Sequence, residues 1–116
     1  MNYDILLQGF HWDSPDVRKG DGTPRWYQII KENADRIKKS GFTLIWFPPP
    51  SDSVNKHGYE PRQLNILDSE YGSEIELRDT IAKLKPIKAI ADIVINHRSG
   101  FSSYSDFKDP DWREED

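Results

Sequence analysis

The stretch Phe42–Phe47 (FTLIWF), followed directly by Pro48–Pro50, decides the fold. A short, almost continuous apolar run of this kind predicts a strand that is buried on both faces, which is typical of parallel sheets. Proline lacks the N–H that a strand ladder needs, so the strand must end at the prolines. The segments on either side carry helical periodicity, and this alternation indicates an α/β protein.

A strand and a helix precede this stretch. Tyr3–Phe10 is predicted as the first strand because its short apolar run is bounded by Gly9. Thr23–Pro24 is a helix start, with a hydroxyl cap and a proline at the first helical position. Apolar residues then recur at helical spacing, at Trp26, Ile30, Ala34 and Ile37. Gly41 is predicted to end this helix in the left-handed conformation.

A long irregular segment, a second helix and a third strand follow. Ser51–Tyr71 is rich in turn-forming residues, and Ser73 with Glu76 has the sequence of a capping box. The apolar stripe of the second helix consists of Leu77, Ile81 and Leu84. Ile87–Ile95 is predicted as the third strand. We therefore expect three parallel strands with two helices, right-handed crossovers and long loops after the strands.

Composition excludes several classes of function. The net charge is −4, whereas a nucleic-acid binder needs a cationic face. No apolar run approaches the about twenty residues of a membrane-spanning helix, and no secretory signal is visible. Without cysteine, neither a disulfide nor a thiolate metal site can form. We expect no nucleic-acid and no membrane partner, and the compartment stays open between the cytoplasm and secretion with the signal removed.

The end of the third predicted strand carries the strongest candidates for chemistry, in the run DIVINH (92–97). His97 there can bond a ligand hydroxyl, and Asn96 can offer an oxygen to a hard cation such as Ca²⁺. The alternative is that both side chains only satisfy backbone groups of the loop. Asp92 lies within an apolar run, where a carboxylate needs a partner. It either supports the site or is a core carboxylate held by an Arg or a Trp N–H.

Two loops after the earlier strands carry aromatic residues. Tyr59 lies in HGYEP (57–61) and Trp12 ends QGFHW (8–12). Either ring can stack on the flat face of a ligand, but each can equally cover the edge of a core. Taken alone, each short run favours the structural role.

Taken together, these segments resemble the α-amylase family of glycoside hydrolases, and they look most like the plant-type enzymes and their bacterial relatives. The matching stretches are QGFHWDSP (8–15), WFPPPSDSVNKHGYEPRQL (46–64), LDSEYGSEIELRDTIAKL (67–84) and ADIVINHRSG (91–100). The resemblance implies that residues 1–97 are the N-terminal sector of a (β/α)₈, or TIM, barrel. Residues 98–116 would begin the long loop, domain B, that follows the third barrel strand.

The resemblance also implies roles for five residues. Asn96 matches a ligand of the structural calcium ion, and His97 matches a histidine that hydrogen-bonds the sugar at the cleavage subsite. Tyr59 matches a tyrosine that stacks on the same sugar, and Trp12 matches an aromatic residue of the same cleft. Asp92 matches the signature aspartate, with a supporting structural role. The implied activity is hydrolysis of internal α-1,4-glucosidic bonds in starch-like glucans, with retention of configuration.

The chain departs from the family in one respect. The family's catalytic carboxylates follow barrel strands four, five and seven, and this chain contains only three such strands. No catalytic residue can therefore be assigned, and the calcium site is expected to be incomplete. The alternatives are a truncated, non-catalytic product that binds glucan weakly, and a related α-glucosidase or transglycosylase.

An open sector of a barrel exposes two sheet edges and apolar surface. We expect the isolated chain to be molten, aggregated or oligomeric unless a complementary barrel fragment is supplied.

Overall fold

Three parallel strands form the main sheet, in the order β1–β2–β5. The computed structural model describes residues 3–17, 24–102 and 106–107. The strands are β1 (Leu6–Gln8), β2 (Leu44–Phe47) and β5 (Lys88–Ala91). Ile45 in the central strand lies opposite Leu7 on one side and Ala89 on the other. This sheet confirms the predicted parallel α/β arrangement.

The strands are shorter than predicted, most clearly β5, which ends at Ala91 and not at Ile95. Ala91 pairs with Phe47, the last residue of β2. The next residue of the central strand is Pro48, which has no N–H to donate, so the ladder stops at this pair. Residues 92–97 therefore lie in the loop after β5 and not in the predicted strand.

The prediction that β2 is buried on both faces is wrong. Ile45 and Phe47 are buried, whereas Leu44 and Trp46 are only half-buried. Burial alternates along β2 because the described helices cover only one face of the sheet. The other face, at the level of Trp46 and Ile90, is open to solvent in part.

Two short helices lie between β1 and β2, where a single helix was predicted. They are α1 (Trp26–Glu32) and α2 (Ala34–Lys39). Asn33 separates them, and its side-chain amide donates to the carbonyl of Ile29 at 2.8 Å, a local bond that competes with helix continuity. Helix α1 begins at Trp26 with Arg25 as its N-cap, so the predicted start at Thr23–Pro24 is wrong for Pro24, which lies before the helix. Thr23 falls outside the described residues. Gly41 has φ +89°, as predicted.

Helix α3 (Glu74–Leu84) begins with the predicted capping box. Ser73 accepts from the Glu76 N–H at 3.1 Å, and the Glu76 carboxylate accepts from the Ser73 N–H at 3.3 Å. The same carboxylate accepts from Arg25 at 2.8 Å, which ties α3 to the start of α1. The buried core lies between these helices and the sheet and consists of Tyr27, Ile30, Ala34, Ile45, Phe47, Tyr71, Leu77, Leu84 and Ile87. No helix in the described part of the chain is long and apolar enough to cross a bilayer.

The segment that the sequence predicted as irregular contains a small antiparallel sheet of β3 (Asp52–Ser53) and β4 (Pro61–Gln63). Arg62 donates two hydrogen bonds of 2.8 Å to Asp52, and these bonds hold the pKa of that carboxyl below its usual range. The chain beyond residue 97 packs on β4, since the Ser99 N–H donates to the Pro61 carbonyl at 2.8 Å. Most of the predicted domain-B segment lies outside the described residues, so that boundary stays a prediction.

Candidate functional site

A sharp turn at Gly58 places the site loop after β2. Gly58 has φ +93°, and its N–H donates to the Asn55 side chain at 3.0 Å. A Cβ at this position would lie 2.9 Å from both the Cβ and the carbonyl oxygen of Pro49. Only glycine fits this combination of left-handed backbone and close approach. The turn sets the directions of the two flanking side chains, His57 and Tyr59.

Tyr59 is fastened to the end of β5 through Asp92. Its hydroxyl donates to the Asp92 carboxylate at 2.9 Å, and the indole N–H of Trp46 donates to the same oxygen at 3.2 Å. Burial, together with the bond to Asp92 and the charge on it, raises the pKa of Tyr59 to about 12. The phenol therefore remains protonated at neutral pH and remains a donor to Asp92. The two donors give the half-buried carboxylate the partners that such a group requires.

His97 joins the same group from the loop after β5. Its Nε2 lies 2.6 Å from the Tyr59 carbonyl oxygen, and its Nδ1 lies 3.3 Å from the side-chain nitrogen of Asn96. A carbonyl only accepts, so Nε2 carries the proton and donates, while Nδ1 accepts from Asn96. Both ring nitrogens are thus engaged although the side chain is exposed. A sugar hydroxyl must displace the longer contact, to Asn96, to reach this histidine.

Trp12 lies beside the same loop and is 66% exposed. One face of its indole stacks on His57, with ring centroids 3.6 Å apart and an angle of 14° between the planes. Trp12 therefore contacts His57, and His57 precedes Tyr59 by two residues in the same loop. The structure brings Tyr59, Asp92 and His97 into one hydrogen-bonded group and places Trp12 next to it through this stack.

A cavity of about 590 Å³ opens beside this group. Among the described residues, its lining includes the predicted Asp92, Asn96 and His97, but neither Tyr59 nor Trp12. Most of the lining is apolar, with Ile93 and Ile95 on one side. Asp92 is the single carboxylate among the described lining residues, whereas a glycosidase needs two carboxyl groups facing the scissile bond. The described lining of the cavity therefore contains no acid–nucleophile pair.

The residues present do not complete a calcium site. Ca²⁺ takes six to eight oxygen ligands, whereas the described residues contain no group of three or more Asp, Glu or His side chains that could hold a metal. Asn96 is exposed, and its side-chain nitrogen already faces His97, so its oxygen is the atom left for a cation. This oxygen is one of the six to eight that such an ion would need.

Comparison with known proteins identifies the family. The family model described as alpha amylase, catalytic domain, matches residues 17–115, which is most of the chain. The chain belongs to the α-amylase family of glycoside hydrolases. Its sequence is 43% identical over 98 residues to alpha-amylase 3, chloroplastic, and 42% identical over 99 residues to probable alpha-amylase 2, both from Arabidopsis thaliana. These matches cover 83% and 84% of the chain but only 10% and 22% of those relatives' lengths.

Solved structures of the α-amylase family show the same architecture. Trehalose-6-phosphate hydrolase of Bacillus licheniformis superimposes with a TM-score of 0.67 at 27% identity, over 83% of this chain and 18% of that enzyme. The three parallel strands and their helices are therefore a partial (β/α)₈ barrel, as the resemblance implied.

Trp46 confirms one of the alternatives predicted for Asp92, a carboxylate held by an Arg or a Trp N–H, although nothing in FTLIWF indicates which tryptophan donates. Sequence reasoning assigned no role to a second member of the site, His57. His57 stands in the HGYEP run, but its stacking partner, Trp12, lies 45 residues earlier. Only the parallel pairing of β1 and β2, which brings their loops to the same edge of the sheet, places the two rings together.

Proposed function

We propose that this α-amylase-family chain supplies sugar-binding groups to an enzyme that hydrolyses internal α-1,4 bonds of starch-like glucans. The observation that carries the proposal is the Tyr59–Asp92–His97 group at the carboxyl ends of parallel strands, where barrel enzymes place their sites. Both Arabidopsis relatives are named as α-amylases, which supports the same substrate class.

Each side chain has a chemical reason for its proposed role. Tyr59 and Trp12 present flat apolar rings, which suit the C–H faces of a pyranose. His97 is a neutral hydrogen-bonding group for a sugar hydroxyl once its contact with Asn96 is released. Asp92 holds the Tyr59 ring in place and does not need to touch the sugar itself. A glycosidase must hold the sugar in a fixed position relative to its catalytic groups, and side chains that are already fixed in place can do this.

Affinity electrophoresis in a starch gel tests this proposal. We expect starch to retard the wild-type chain, and Tyr59→Ala to weaken binding about tenfold, since an aromatic contact contributes about 0.5–1.5 kcal/mol beyond its area. Tyr59→Phe keeps the ring but loses the bond to Asp92, so its retardation should be intermediate. Tyr3→Ala, at an exposed tyrosine away from the site, serves as the control. Equal mobility of the wild type with and without starch would contradict the proposal.

The single carboxylate in the described part of the cavity favours a second candidate for this chain: glucan binding without hydrolysis. The two are separated by measuring reducing sugar released from starch by the same preparation. Binding without release supports the non-catalytic alternative. Release that His97→Ala abolishes would show that the chain performs the chemistry itself. A related α-glucosidase or transglycosylase activity of the complete protein would appear as a different product distribution.

We also propose that Asn96 gives one oxygen ligand to a calcium ion whose other ligands lie outside the described residues. A cation there would bind the amide oxygen while the amide nitrogen keeps His97 in place. We expect Ca²⁺ to raise the melting temperature of the chain and Asn96→Ala to remove most of that rise, because ligand binding to the folded state alone stabilises it. Asn65→Ala is the control, and a calcium response that survives Asn96→Ala would refute this role.

β5 has one edge with which no strand of the described residues pairs, and this edge is proposed as the place where a further strand pairs, either from a second copy or from a complementary barrel fragment. All four residues of β5 are exposed, and the apolar side chains beyond it are exposed as well. Unpaired edges of this kind template pairing with another chain.

A further inference from the structure

His57 occupies an unusual place for a loop histidine. It is only 8% exposed, although it lies in the segment after β2 that is richest in turns. Its main-chain oxygen accepts a hydrogen bond of 2.8 Å from the buried Tyr71 hydroxyl, and Gly58 follows it in a left-handed turn. The backbone of His57 is therefore held by the core and by the turn.

The ring of His57 makes two contacts with one residue. Its face stacks on the indole of Trp12, and its Nε2 lies 2.9 Å from the Trp12 main-chain oxygen. Because that oxygen only accepts, Nε2 must carry a proton and donate. The two contacts hold both the backbone and the side chain of Trp12. The indole remains 66% exposed, so the face opposite His57 is available to a ligand.

We propose that His57 is a positioning residue, which fixes Trp12 from behind so that the outer face of the indole is a preformed stacking platform for a sugar ring. This inference rests on the proposed function, because it takes the glucan as the ligand of that face. An exposed tryptophan on a loop would otherwise lose rotamer freedom on binding, and a ring that is already fixed avoids this loss.

The arrangement predicts a signal that needs no glucan. A flat ring whose centroid lies 3.6 Å from that of the indole changes the electronic environment of Trp12, so removal of that ring should alter a spectrum of Trp12.

The experiment labels the full chain with 5-fluorotryptophan and records ¹⁹F NMR spectra of the wild type and its variants at one pH. Trp12→Phe assigns the Trp12 resonance. We expect that resonance to move in His57→Gln, which removes the stacked ring, and to move less in His57→Phe, which keeps a flat ring behind Trp12. His11→Gln is the matched control, because His11 adjoins Trp12 in sequence but its ring lies against Trp26, at 5.6 Å between centroids.

Starch affinity of the same variants provides the second readout. Loss of the stack in His57→Gln should weaken binding by about 2- to 10-fold, and His57→Phe, which keeps a flat ring behind Trp12, should recover most of it. A Trp12 resonance that keeps its wild-type position in a folded His57→Gln overturns the inference. Unchanged starch affinity in a folded His57→Gln does the same. If the resonance moves in His57→Gln but the wild type does not bind starch, the stack stands and the proposed function fails.

Discussion

Lysine at both position 93 and position 95 is expected to convert the chain from an associated species into a monomer. Ile93 is 62% exposed and Ile95 is 89% exposed, and both follow the open edge strand β5. Isoleucines at such exposure do not contribute to the core of the described structure. They supply apolar surface that a second copy can bury, whereas two charges at the edge oppose that contact.

Size-exclusion chromatography with light scattering, over a range of protein concentrations, measures this effect. The wild type should elute as dimers or larger species at micromolar concentration, and Ile93→Lys/Ile95→Lys should elute at the monomer mass. Ile75→Lys is the matched control, because Ile75 is 72% exposed but lies in the first turn of α3 and not at the sheet edge. A wild-type monomer with a sharp cooperative melt at low concentration would show that the open edge does not drive association.

The part of the fold that sequence could predict is the part that local chemistry determines. The capping box at Ser73 and the left-handed glycine at position 41 each depend on a few neighbouring residues, and both are present as predicted. The break at Asn33 was missed because the apolar spacing continues across it, while the competing side-chain bond to Ile29 leaves no periodic signal. The extent of β5 was missed because it depends on where its partner strand runs into Pro48.

The candidate site shows the same division. Tyr59, Asp92 and His97 were candidates from their places in the loop and at the strand end, and the structure joins them by hydrogen bonds that no spacing in the sequence predicts. Trp46 was not singled out as the tryptophan that holds Asp92, and His57 was missed, because their partners lie 46 and 45 residues away. Contacts at such separations follow from the register of parallel strands and from loop geometry. These are properties of the assembled sheet and not of any single segment.

Alanine at Gly58 is expected to lower both the free energy of unfolding and the affinity for starch, whereas alanine at Gly41 lowers only the first. Both glycines have a positive φ, +93° and +89°, so each substitution incurs left-handed strain of about 1–2 kcal/mol. They differ in space: a Cβ at Gly58 meets Pro49 at 2.9 Å, while a Cβ at Gly41 has nothing within 4 Å. The overlap at Gly58 should add about 1–3 kcal/mol, as overpacking does.

Urea unfolding at one fixed protein concentration measures the stability of the two variants, since association adds to the apparent stability of the folded state. We expect Gly58→Ala to be the less stable variant by the cost of its overlap with Pro49. Relief of that overlap must move the backbone between His57 and Tyr59, so starch retardation should also fall for Gly58→Ala at temperatures where it remains folded. Equal losses of stability in the two variants, with starch retardation preserved in both, would contradict this prediction. The backbone around Gly58 could then shift without disturbing the stack on Trp12 or the bond to Asp92. The geometry of the Gly58 turn would then not be what holds the sugar-binding groups together.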